Sequence, residues 1–94
     1  MITRTERTLR NGTETEKPKA SQISAGHIES FIRCDLRSKF TVISVNETDR
    51  ATEVVLEKRD KYSNEIRVTY TGPKKLFRKA LTLLNTNRVA AALS

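Results

Sequence analysis

Four cations fall within six residues near the end of this chain: Lys74, Lys75, Arg78 and Lys79. Lysine and arginine at that density offer no nucleophile and no proton shuttle near neutral pH. What they do is hold anionic oxygen, phosphate above all. The other residues with reactive side chains stand apart. His27 is the single histidine and Cys34 the single cysteine. Seven residues along a helix is about two turns, roughly 10 Å, too far for a paired Cys–His nucleophile. One of each also falls short of the roughly four Cys/His ligands of a structural zinc site. The three glycines are isolated, so no glycine-rich phosphate loop exists. The expectation is a protein that is not an enzyme and carries no cofactor and no metal.

The charge is uneven. The 94 residues carry a formal +7. Residues 73–94 contain five basic and no acidic side chains, whereas residues 40–72 contain five basic and six acidic. The excess therefore belongs to one element. On a helical wheel, Lys74, Arg78, Lys75 and Lys79 cover an arc of roughly 140°. Leu76, Phe77, Ala80, Leu81, Leu83 and Leu84 fill the opposite side, which gives one basic and one apolar face. The cations sit in the first turns, where the helix dipole already favours negative charge. A phosphate bound there would remove the conflict.

The elements that must position this helix can be read upstream. Ser24 suits an N-cap, and Ile28, Phe31, Ile32 and Leu36 form one stripe of a first helix ending near Ser38. Glu29, Arg33 and Arg37 run down its other side, and Asp35 falls among the apolar positions. Three strands follow: Phe40–Val45, Thr52–Lys58 and Glu65–Tyr70. Their short polar connections imply antiparallel neighbours. A hairpin centred on Tyr62 sets Glu57 opposite Arg67, a complementary cross-strand pair. Gly72-Pro73 then ends the last strand, and Pro73 suits the start of a helix. Residues 1–22 are polar, with only Ile2, Leu9 and Ala20 apolar beyond Met1. They read as a mobile arm, or as a polar hairpin turning at Asn11-Gly12. The expected fold is α+β: a single small domain over 23–94 in α-β-β-β-α order. Its sheet is three-stranded and antiparallel, with two helices on one face.

The α-β-β-β-α order, with Lys74-Lys75 opening the last helix, resembles the double-stranded RNA-binding domain over residues 24–85. The resemblance implies that Lys74, Lys75 and Lys79 grip phosphates. The chain departs from the family in two places. It has Lys74-Lys75-Leu76-Phe77-Arg78 where the family has Lys-Lys-x-Ala-Lys. It has Asn46-Glu-Thr-Asp-Arg50 where the family has a Gly-Pro-x-His loop, and an acidic loop argues against insertion into a minor groove. Topology alone does not give function, and the chain is not assigned to that family.

The expected function is non-catalytic binding of a nucleic-acid backbone, DNA or RNA. Lys74, Lys75, Arg78 and Lys79 form the main contact. Arg4, Arg7, Arg10, Lys17 and Lys19 form a flexible second contact, and Arg33 and Arg37 a third. Recognition through aromatics on an open sheet face is disfavoured, because the outward residues Glu53, Val55, Glu57, Glu65, Arg67 and Thr69 include no ring. Tyr62 suits two roles: stacking on a base, or covering the edge of the core. The alternative function is a small inhibitor or adaptor, of viral or mobile-element type, docking on an acidic protein surface. No apolar run is long enough for a membrane span and no secretory leader is evident, so a cytoplasmic location is expected. An unpaired edge strand offers a route to a homodimer.

Overall fold

The computed structural model describes residues 1–93, and the side chains of residues 1–86. The described residues form six strands and two helices: β1 (Ile2–Arg10), β2 (Thr13–Glu14), β3 (Lys19–Ile23), α1 (Ile28–Arg37), β4 (Thr41–Glu47), β5 (Ala51–Arg59), β6 (Glu65–Pro73) and α2 (Arg78–Leu93). The fold is α+β with an antiparallel sheet, as expected. The order is β-β-β-α-β-β-β-α rather than α-β-β-β-α, and the sheet has six strands rather than three.

The difference lies in residues 1–23. Asn11 (φ 53°) and Gly12 (φ 80°) both take the left-handed conformation of a two-residue hairpin turn, and Arg10 pairs with Thr13 across it. Asn-Gly tolerates that geometry, whose twist matches the flanking strands. The return strand is broken. β2 pairs with Leu9 and Arg10, the chain leaves the ladder around Pro18, and β3 rejoins from Glu6↔Lys19 to Ile2↔Ile23. On its other edge β1 pairs with β6 over seven residues, from Thr3↔Thr71 to Leu9↔Glu65. Residues 1–22 are therefore a hairpin built into the sheet.

The three-stranded meander follows the sequence reading. β4 pairs with β5 and β5 with β6, and Glu57 stands opposite Arg67 with its carboxylate 3.2 Å from the guanidinium. The β4–β5 register shifts at Ile43, a bulge in the edge strand β4. One face of the sheet presents Ile2, Val42, Val54, Leu56, Val68 and Tyr70, which form a single core with Ile28 and Ile32 of α1 and with Phe77, Ala80 and Leu84. Gly72 lies on this side, and a Cβ there would come within 3.1 Å of Ile2, so the glycine makes room for the strand that arrives with the hairpin.

The buried stripe of α1 also differs from expectation. Phe31 is 38% exposed, whereas Asp35 is only 6% exposed. The helix face centres on Ile28, Ile32 and Asp35, at i, i+4 and i+7, which leaves Phe31 at its margin. A buried carboxylate needs partners. Asp35 has two: the Tyr70 hydroxyl donates to one oxygen, and Arg4 Nη2 donates to the other at 2.9 Å. Arg4 Nε also donates to the Tyr70 oxygen at 3.0 Å. β1, α1 and β6 are thereby tied at one point.

Removing Arg4 leaves the buried Asp35 carboxylate without its counter-charge. Arg4→Leu is expected to destabilise the fold by about 3 kcal/mol, read as a urea-unfolding midpoint. The Arg4→Leu/Asp35→Leu pair is expected to cost less than the sum of the single changes. Burial, helped by the hydrogen bond to Asp35, pushes the Tyr70 phenol well above its ordinary value. The folded protein then keeps this proton after the unfolded chain has lost it. The stabilisation is complete below about pH 10 and declines above it, by up to about 1.4 kcal/mol per pH unit from this group. Unfolding midpoints between about pH 8 and 11 should show that decline, and Tyr70→Phe should remove it.

Candidate nucleic-acid interface

At the end of β6, Gly72 and Pro73 still pair with Thr52 and Ala51. The chain must then turn sharply from the sheet onto its covered face. Lys74 N–H donates to the Arg50 carbonyl at 3.1 Å, and Lys74–Phe77 form a 3-10 turn before α2 begins at Arg78. The sequence reading began a regular helix directly after Pro73. The tighter turn wins because Phe77 must reach the core within four residues of the sheet. Phe77 is fully buried, and Ala80 and Leu84 follow it at i+3 and i+7. These three anchors turn Lys74, Lys75, Arg78 and Lys79 to the outside, and all four are exposed.

Facing them is the start of α1. Ser24 introduces a 3-10 turn over Ala25–His27, and its hydroxyl lies 2.9 Å from His27 Nδ1 rather than capping a backbone N–H. Between the two helix starts lies a cavity of about 420 Å³, lined by Ala25, Gly26, Ile28, Glu29, Lys75, Leu76, Arg78 and Lys79. Glu29 is the acid on this rim, and Arg33 neutralises it at 2.7 Å. Among the described residues, none of the four cations on the α2 side is ion-paired. Both helices point their N-termini toward this end of the molecule, which adds to the positive potential.

The remaining basic residues do not join this group. Arg4 stands apart from the flexible contact expected of it. Only 18% of its side chain is exposed, and its Nε and Nη2 donate to Tyr70 and Asp35. Its place is structural because β1 carries it over the core margin. Arg7 pairs with Glu14, and Arg33 with Glu29. Arg10 Nη2 donates to the Tyr62 carbonyl at 3.2 Å, at the far end of the sheet. The nine residues of β6 span about 26 Å between that end and Pro73, eight steps of about 3.3 Å. Arg37, in the last turn of α1, lies toward that far end, where β4 begins opposite Glu57. Lys17 and Lys19 are exposed on the outer edge. Gly26 and Glu29 join the rim with no signal in their own segment. Arg10 and Tyr62 meet only through the β1–β6 pairing, for which Asn11-Gly12 is the one local sign. Among the described residues no cluster of three His, Cys, Asp or Glu side chains gathers, and no helix is long and apolar enough to cross a membrane.

A scan of protein-family models, a search of curated proteins and a search of solved structures each found no match to this chain. The likeness to the double-stranded RNA-binding domain is thus confined to the order of α1, β4, β5, β6 and α2.

Anchor and cations are separable. Phe77→Ala is expected to lower stability by about 3–5 kcal/mol. Lys75→Ala is expected to change it by less than about 0.5 kcal/mol. Urea unfolding of the two variants checks both.

Proposed function

We propose that this chain is a non-catalytic binder of nucleic-acid backbone, acting through Lys74, Lys75, Arg78 and Lys79. One observation carries the reading. Five arginines elsewhere (Arg4, Arg7, Arg33, Arg59 and Arg67) are ion-paired, while these four neighbouring cations are exposed and, among the described residues, lack a carboxylate partner. Uncompensated cations beside two helix N-termini favour a polyanion, and a phosphate backbone supplies regularly spaced anionic oxygens. Such contacts position a nucleic acid without reading its sequence.

The test replaces all four residues with alanine. They are exposed, so the fold should be retained, as checked by circular dichroism. Binding to random duplex DNA, duplex RNA and single strands is measured across a salt series. The variant should bind every sequence more weakly. Its log K against log salt slope on duplex should be shallower by roughly 3.6, near 0.9 for each of the four lost contacts. An unchanged slope overturns the assignment. If the parent protein binds no nucleic acid at about 50 mM salt, the same cluster is better read as a dock for an acidic protein.

A further inference from the structure

The opposite end of the sheet has a feature that the helix cluster does not explain. Tyr62 sits at the tip of the β5–β6 hairpin and is 62% exposed, so it covers no part of the core. The tip is held in one shape. The Asp60 carboxylate accepts the backbone N–H groups of Tyr62 at 2.8 Å and Asn64 at 2.9 Å, and the Asn64 amide at 3.1 Å. Ser63 takes a left-handed turn conformation (φ 66°). These bonds, led by the Asn64 N–H, hold the Asp60 carboxyl below the ordinary carboxylate range, so its charge stays committed to the loop. Arg10 reaches over from the tip of the β1–β2 hairpin to the Tyr62 carbonyl. The Lys61 ammonium lies 5.1 Å from the centre of the Tyr62 ring. The Arg59 side chain is well exposed and loosely paired with Glu65 at 3.4 Å. A cleft of about 190 Å³ runs between the two tips, lined by Leu9, Gly12, Arg59 and Ser63 among others.

An exposed ring on a fixed loop with cations beside it matches what a single-stranded nucleic acid presents: a flat base and its flanking phosphates. Lys61 lies over the ring, and the exposure of Tyr62 leaves room for a base to stack. A base inside a duplex is already stacked on its neighbours and is not offered to such a ring. We propose that this end of the sheet is a second nucleic-acid contact, at which Tyr62 stacks on an unpaired base while Arg10, Arg59 and Lys61 hold the adjoining phosphates. The proposal rests on the nucleic-acid reading of the chain but on none of the four residues that carry it. The two contacts lie about 26 Å apart along β6, so one extended strand of several nucleotides would be needed to meet both.

The chain supplies its own probe. It has two tyrosines and no tryptophan, and Tyr70 is fully buried. A ligand that quenches tyrosine emission by contact therefore acts on Tyr62, and Tyr62→Phe supplies the background from Tyr70. The full chain is titrated with an oligothymidine of about 12 nucleotides, a length within the usual range of single-strand sites, and with a duplex of equal length. The single strand should quench the emission and the duplex should not. Tyr62→Ala should weaken single-strand binding by roughly 5- to 100-fold, whereas Tyr62→Phe should stay within about 3-fold. Equal affinities for Tyr62→Ala and the parent overturn this proposal and leave the helix contact standing. A loss in Tyr62→Ala without a loss in the four-residue helix variant supports the tip and overturns the helix contact. Quenching by oligoglutamate but not by oligothymidine overturns both.

Discussion

A carboxylate on the buried face of α1 governs this fold. Asp35 is almost without access to water, so it is compatible with folding only if its oxygens are bonded. Its partners come from two distant parts of the chain: the Tyr70 hydroxyl from β6 and the Arg4 guanidinium from β1. The three side chains can meet only when the first hairpin lies beside β6 and α1 lies across both. One polar contact therefore specifies where the hairpin docks, something that the hairpin's sparse apolar content could not do alone. Ile2 over Gly72 adds the apolar half of that joint.

Docking the hairpin also redistributes the charge. Arg4 is drawn into the core margin, and Arg7 is neutralised by Glu14. The open face of the sheet balances itself through Arg67, Glu57, Arg59 and Glu65. One end of the strands keeps Lys74, Lys75, Arg78 and Lys79 at the start of α2, exposed and, among the described residues, without an ion pair. The other gathers Arg10, Lys61 and the loosely paired Arg59 around Tyr62, because the β1–β6 pairing sets two hairpin tips side by side. A net charge that looks like a property of the whole chain becomes two separate places on the molecule.

Much of this was legible beforehand, for a local reason. The β4–β5–β6 meander, the end of α1 at Ser38, the Glu57–Arg67 pair and the burial of Phe77, Ala80 and Leu84 follow from alternation, turn residues and helical spacing within short windows. So does the outward placement of Lys74, Lys75, Arg78 and Lys79, since three apolar anchors fix the rotation of the helix. Two places stay open in the sequence for one cause. Asp35 reads as a flaw in an apolar stripe, and residues 1–22 read as a mobile arm or a polar hairpin, because each lacks its partner within its own window. Arg4 and Asp35 are 31 residues apart, and neither makes sense without the other.

Local spacing suffices for α1, for the β4–β5–β6 meander, for the turn signal at Asn11-Gly12 and for the basic cluster from Lys74 to Lys79, because those depend on residues a few positions apart. Only the closed sheet brings residues 1–23 in as three further strands, draws Arg4 onto Asp35 and Tyr70, and sets Arg10 beside the Tyr62 tip. The reason is physical. A polar strand gains its stability from pairing with another strand, and a buried charge gains its from a counter-charge. Both partners here are brought together by the closing of the sheet rather than by their spacing along the chain.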